Sequence, residues 1–425
     1  MKKKKAPLVR RMKEFVKTSV VWGPLDHNLF FTIIFLNVYG IIMVYSASYN
    51  NSITKNYSYF MNNQLKNVIF GFIIMIIASY INYHRIVRFG WGWFWLFLAV
   101  CIIAALKTPL AHSELGATRW IKLGSISFQA AEPIKAAIII FFAYYVSYWG
   151  LNRWYNQVLA CLLAIALLGF LFFFSNNLST VIVLFCICAV IILSSVKKPD
   201  LYWYFLIGLA LVIIAAIGVT VYLLMHQGAE NFRFVRIRAW LHPEEYAADE
   251  GLQAMQARYA IGAGGFWGKG LGQSLIKFKL SYSYNDFILA IICEELGVFG
   301  VIVMMTLFGY LLYRIYKIAQ NAWDIEGKVL AIGVFTQIAL QLLINVMVVT
   351  SVIPTTGVTL PFFSAGGTSV VFLLAELGMV LNVDKYAKER RFFEEAERHV
   401  AQMEERGGIG AAGWRRRLDS ARTRR

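Results

Sequence analysis

Apolar residues in this chain are grouped in long blocks separated by short polar breaks. The blocks run roughly over 28–49, 63–82, 89–106, 131–149, 155–173, 177–195, 201–226, 286–313, 329–349 and 368–382. An α-helix rises ~1.5 Å per residue and the hydrocarbon core of a bilayer is ~30 Å thick, so about 20 apolar residues suffice to cross it. The pattern predicts an all-α, polytopic membrane protein of about ten transmembrane helices. A basic segment, 1–27, precedes the membrane domain of 28–385, and a charged tail, 386–425, follows it. Met1 to Lys5 has the charge of a signal-peptide start. The first apolar block begins only near Asn28 and is too long for a signal core, so it reads as a retained helix.

Composition supports this. Of 425 residues, 59% are hydrophobic and 15% charged. A soluble domain cannot hide that much apolar surface and a disordered chain would not carry it. The net charge of +17 would suit nucleic-acid binding in a soluble chain. Here it reads as topology, with no nucleic-acid partner: an even number of spans puts both ends on one side, and most Lys and Arg fall on that side if the ends are cytoplasmic. Cys101, Cys161, Cys186, Cys188 and Cys293 all lie in apolar blocks without CxxC spacing, so neither a disulfide framework nor a zinc site is indicated.

Three segments on the predicted outer side are not spans: 107–130, 227–285 and 350–367. The second is too long to be a simple connector. Any chemistry is expected on this side. The charged helical stretch and basic end of the tail read as a solvated segment able to touch anionic lipid, or as a partner-binding one.

Ionisable groups inside spans are costly and therefore candidates for function. They are Glu132, Lys135, Asp286, Glu294, Glu295 and Glu376. Glu132 and Lys135 are three apart and share a helix face, so they can pair. That pair either offsets its own burial or forms one wall of a polar cavity. Asp286 stands where the long loop enters the eighth span. It can cap that helix, or act as a general base at the membrane surface. Glu294 and Glu295 lie ~12–13 Å deeper along the helix, suited to a structural pairing or to a relay.

The long loop also holds Gly262, Gly264, Gly265, Gly268, Gly270 and Gly272 around Lys269. Such a stretch is either a tight re-entrant turn or a cradle whose backbone N–H groups meet a phosphate. It lacks the Ser or Thr of a Walker A loop and follows no strand. Arg233, Arg236, Arg238, Arg258, Lys269, Lys277 and Lys279 make the loop basic, in keeping with an anionic, phosphorylated ligand.

With these segments in view the chain resembles the SEDS glycosyltransferases (shape, elongation, division, sporulation), the FtsW/RodA/SpoVE group. The resemblance rests on Val44 to Ser48, Gly116 to Ile121 with Arg119, Phe128 to Lys135, Gln253 to Gly272, Asn285-Asp286-Phe287 with Glu294 to Gly297, and Pro354 to Ser369. These segments occur in family order over 28–385. Asn176 to Ser179 and Cys293 to Gly297 look closer to the FtsW branch than to RodA. The resemblance implies polymerisation of lipid II into β-1,4 glycan strands at the outer face of the bacterial cytoplasmic membrane, at the division septum. Asp286 inherits the general-base role. Glu132, Lys135 and Arg119 would contact substrate, and Arg236, Gly264, Gly265, Lys269 and Gly270 would handle pyrophosphate. A divalent cation, Mg or Mn, would assist, with no organic cofactor. Glu294 and Glu295 would be structural or relay groups. The implied partners are the polyprenyl-pyrophosphate-linked glycan, a class B penicillin-binding protein and other divisome membrane proteins. Asn177, Ser281, Tyr282 and Ala365 depart from the family's usual residues near the expected site. A RodA-type elongation polymerase, a lipid II flippase and a divisome scaffold are the competing functions; no internal repeat speaks for the flippase.

Overall fold

The computed structural model describes residues 21–48, 59–196, 232–246, 250–278, 285–405 and 414–415, apart from positions 22, 110, 115–116, 124–125, 176 and 366. Six described helices are long and apolar enough to cross a membrane. They are α1 (His27–Ser48), α2 (Tyr59–Tyr80), α6 (Trp154–Ser175), α7 (Leu178–Ser195), α10 (Ile288–Gln320) and α11 (Ile325–Val349). Three further expected spans are helical too: α4 (Trp93–Ala105), α5 (Ala131–Trp149) and the N-terminal part of α12 (Thr368–Glu405). The expected span 201–226 lies outside the described residues. The remaining helices are the short α3 (Tyr83–Val87), α8 (Phe232–Leu241) and α9 (Glu250–Gly264).

Two segments differ from the sequence reading. Residues 107–130, expected as a loop, form a three-stranded antiparallel sheet of β1 (Ala111–Glu114), β2 (Ala117–Leu123) and β3 (Ile126–Gln129), in the order β1-β2-β3. Its register pairs Trp120 with Gln129 and Ile121 with Phe128. β-Branched and aromatic residues favour such a ribbon, and β3 leads directly into α5, fixing where Glu132 enters the membrane domain. The segment 227–285, expected as a long loop, contains α8 and α9, with a 3-10 turn at Ile276–Phe278.

Helix starts follow local chemistry. Asp26 accepts from the backbone N–H groups of Asn28 and Leu29 at 3.1 and 3.2 Å and so caps α1. Asn177 caps α7 through Thr180 N at 3.3 Å, and Asp324 caps α11 through Gly327 N at 2.8 Å. Each cap satisfies backbone donors that the helix itself leaves open.

The core centres on α11, which packs against α5, α7, α10 and α12; α12 in turn lies along α2, and α10 along α1 and α9. Ile138, Phe142, Leu330, Val334, Phe308 and Leu374 lie in this core with essentially no exposure. The outer faces keep Phe31, Phe35, Ile73, Leu162 and Ile302 exposed, as a lipid-facing surface requires.

Candidate functional site

Glu132 opens α5, and its acid suits a helix start because the first-turn N–H groups carry partial positive charge. One turn on, Lys135 donates to it: Nζ lies 2.8 Å from Oε1, with side chains only 3% and 5% exposed. The pair lines a cleft of about 360 Å³ with Gln129, Asn177, Thr180, Gln341 and Thr359. Asn177 thus serves two ends, capping α7 and facing the cleft. Ser179 Oγ donates to Thr356 O at 3.0 Å and fastens α7 to the strap of residues 353–359.

Asp286 sits half-buried in the turn 285–287 that leads into α10, and the N-cap position of that helix is Phe287 rather than Asp286. The turn is clamped by its backbone. Asn345 on α11 donates through Nδ2 to Asp286 O and to Val358 O, both at 2.9 Å. Ser364 Oγ donates to Asn285 O at 2.8 Å and accepts from Leu360 N at 2.8 Å. Val358 and Gln341 both line the cleft, and Gln341 is one helical turn from Asn345. The clamp therefore holds Asp286 at the margin of the cleft that carries Glu132 and Lys135.

Asn345, Gln341 and Ser364 are absent from the candidates read from the sequence, which within the spans took only ionisable groups. Their signal is the spacing of Gln337, Gln341 and Asn345, four apart on one face of an otherwise apolar helix. Gln337 continues the polar column inward and donates to Glu376 Oε2 at 2.8 Å, joining α11 to α12.

The glycine stretch forms the tight re-entrant turn, one of the two uses its sequence left open. Residues 265–272 lie across α10 at its kink, where Gly297 has φ 64° and ψ −162°. The N–H groups of Lys269 and Gly270, assigned to pyrophosphate from the sequence, donate to the carbonyls of Glu294 and Glu295, each at 2.9 Å. Gly265 O accepts from Val298 N at 3.1 Å. A Cβ on Gly264 would lie 1.9 Å from Cys293 O, and one on Gly268 would lie 2.2 Å from Glu295 O. The glycines admit backbone to backbone, and the amides that would cradle a phosphate are engaged.

The same docking uses Lys269 and both glutamates. Lys269 Nζ meets Glu294 Oε1 at 2.8 Å. Ser274 Oγ donates to Glu294 Oε2, and Leu275 N donates to Glu294 Oε1 at 3.1 Å. Lys277 Nζ lies 3.4 Å from Glu295 Oε1, and Ser46 on α1 donates to Glu295 Oε2. Both glutamates are fully buried. Their oxygens are occupied by the re-entrant segment and α1, which is a structural arrangement.

Arg236 lies elsewhere, on α8, where with Arg258 of α9 it lines a second pocket of about 310 Å³. Arg119 falls in β2 beside an irregularity in the β1–β2 register, and its side chain is outside the described residues. Among the described residues no three His, Cys, Asp or Glu side chains gather as a cation site. The described residues form no dedicated cation cage.

Apolar helices, a clamped carboxylate turn and a polar cleft beside it define a multi-pass membrane protein. Comparison with known proteins places it further. The chain belongs to the FtsW/RodA/SpoVE family, described as cell cycle proteins, which it matches over residues 26–389. It is 32% identical to the probable peptidoglycan glycosyltransferase FtsW of Trichlorobacter lovleyi over 384 residues, covering 88% of this chain and 96% of that one. It is 33% identical to stage V sporulation protein E of Bacillus subtilis, over 84% and 96%. The fold matches a chain of a peptidoglycan synthase complex that coordinates polymerization and crosslinking, with a TM-score of 0.71 and 21% identity, covering 86% and 99%. It also matches the rod shape determining protein RodA of Thermus thermophilus, with a TM-score of 0.61 over 86% and 98%.

Proposed function

We propose that this chain is a peptidoglycan glycosyltransferase that polymerises lipid II at the outer face of the cytoplasmic membrane. The observation that carries the reading is the placement of Asp286: a carboxylate on a turn clamped by Asn345 and Ser364, at the rim of a cleft holding a buried Glu132–Lys135 pair. A general base needs a fixed position and a reachable oxygen more than it needs a large shift in pKa.

In this reading Asp286 takes the proton of the acceptor's GlcNAc 4-hydroxyl. That oxygen forms a bond to the anomeric carbon at the lipid-linked end of the strand. The bond from that carbon to pyrophosphate breaks, and the electron pair leaves with the polyprenyl pyrophosphate. The linkage inverts to β-1,4. Glu132 and Lys135 present a donor and an acceptor of hydrogen bonds to sugar hydroxyls while remaining neutral as a pair. The termini are cytoplasmic, the partner is a class B penicillin-binding protein, and the site of action is the division septum.

The test uses full-length protein with its transpeptidase partner, lipid II and a divalent cation. Asp286→Asn keeps the backbone contacts and removes the base, so glycan synthesis should fall ~100-fold or more. Normal polymerisation by this variant would sink the reading. Lipid II translocation in proteoliposomes, undiminished by Asp286→Asn while no glycan forms from either protein, would favour a flippase.

A further inference from the structure

Glu376 on α12 is ionisable, lies inside the membrane domain and stands outside the proposed reaction. It is 1% exposed. Each of the other buried glutamates meets a cation: Glu132 with Lys135, Glu294 with Lys269, Glu295 with Lys277 and Glu326 with Arg88. Among the described residues, the hydrogen-bond partner of Glu376 is a neutral amide. Gln337 of α11, itself fully buried, donates through Nε2 to Glu376 Oε2 at 2.8 Å. A carboxylate buried without a cation is costly, and such a group sheds its charge rather than bear it.

The unmet hydrogen bonds show where the proton goes. Glu376 Oε1 and Gln337 Oε1 are both buried and both lack a partner. Both can only accept if Glu376 is ionised. An amide and a carboxylate share one hydrogen bond. An amide and a carboxylic acid can share two, N–H to the acid carbonyl and O–H to the amide carbonyl. One proton on Glu376 Oε1 therefore supplies the donor that both oxygens lack. Turning the amide over does not remove the need, because Gln337 Oε1 would then face Glu376 Oε2, acceptor against acceptor.

The neighbours give this proton a consequence. Helix α12 packs against α5 as well as α11, and the charges of Lys135 and Glu132 both act on Glu376. The Lys135 ammonium has three N–H donors, and among the described residues its acceptor is Glu132 Oε1. Other charges along α12 are distant or matched. Helix α2 carries Lys66, which is exposed, and β3 carries no charge. On α10, Glu294 and Glu295 are engaged by Lys269 and Lys277, and Arg314 by Asp26. His84, Asp324 and Glu326 gather about three turns away along α11. On α12 itself, Asp384 pairs with Lys388. Neutral, Glu376 leaves one carboxylate to one ammonium. Ionised, it would be a second carboxylate for Lys135, and one that does not line the cleft.

We propose that Glu376 holds a proton toward Gln337 and is a positioning residue for the cleft: neutral, it leaves Lys135 beside Glu132, and ionised, it draws Lys135 away from the cleft wall. This rests on the reading of the cleft as the lipid II site.

Two measurements on the full-length protein in detergent test it. Infrared spectra read the proton. A carboxylic-acid C=O band present in wild type at neutral pH should be missing in Glu376→Gln, and should fade from wild type as the pH is raised. Gln at this position can still make both bonds to Gln337, so the variant should fold. Lipid II binding reads the positioning, in an Asp286→Asn background to prevent turnover. From neutral to alkaline pH, binding should weaken ~10-fold or more with Glu376 present, and ~2-fold or less with Glu376→Gln. A merely structural Glu376 would change stability and leave this pH ratio alike in both proteins. Identical infrared bands, or an equal alkaline loss of binding, would overturn the proposal. Polymerisation by Asp286→Asn would instead remove the base, and the band and the binding ratio would still decide the role of Glu376.

Discussion

Two sets of buried Lys–Glu contacts in this molecule look alike in composition and differ in use. Glu132 and Lys135 pair within one helical turn of α5 and border a cleft. Glu294 and Glu295 pair across the fold with Lys269 and Lys277, and Ser46, Ser274 and the backbone at 275 take up further oxygens. The first set retains an open side; the second is saturated. A buried charge is tolerable once its lone pairs are met, and what is left over after that accounting marks a site. The difference teaches that burial of a charge identifies candidates, while the unspent side of the charge identifies function.

The comparison is broken most forcefully at the saturated set. Glu295→Ala leaves the Lys277 ammonium, 1% exposed, buried without its carboxylate. Removing one member of a buried pair costs ~3–5 kcal/mol, so thermal unfolding in detergent should show a large loss of stability. Glu295→Ala with Lys277→Met should recover part of it; equal stability of single mutant and wild type would show that the docking is dispensable.

Gly268→Ala attacks the same docking through space. Its φ of 75° and its approach to Glu295 O leave no room for a methyl group. Overpacking of this kind costs ~1–3 kcal/mol, read as a lowered melting temperature.

The open set should behave in the opposite way. Glu132→Gln keeps the shape and a hydrogen-bond acceptor for Lys135, on the side of the pair that borders the cleft. Stability should fall by about 1 kcal/mol, whereas polymerisation should fall ~10-fold or more. A variant that unfolds in proportion to its lost activity would place Glu132 with the saturated set.

The smallest effect is expected at a third charged cluster, at the other end of α11. Asp324 accepts from Tyr83 Oη and lies 2.7 Å from His84 Nε2; nearby, Arg88 pairs with Glu326. Burial alone would raise the Asp324 pKa. Hydrogen bonds from His84, Gly327 N and Tyr83 outweigh it and hold the carboxyl below its usual range. A depressed carboxylate stabilises the fold above its ordinary pKa, and that contribution is lost as pH falls through the lowered value. Wild type and Asp324→Asn should therefore differ in melting temperature near neutrality and converge in acid below the usual carboxylate range.

What sequence determines here is local. Twenty apolar residues in a row specify a span whatever surrounds them, and nine of the ten expected blocks are helical among the described residues. The i, i+3 spacing of Glu132 and Lys135 dictates their pairing within one turn. The turn bearing Asp286 was legible as the junction of loop and helix. Tertiary structure decided the rest, because the contacts join residues far apart in the chain. Asn345 reaches Asp286 across 59 positions, Trp240 reaches Ser351 across 111, and Lys269 reaches Glu294 across 25. A glycine run and a lysine look the same in sequence whether their amides and ammonium meet a phosphate or a neighbouring helix. Only the fold shows that α10 already occupies them.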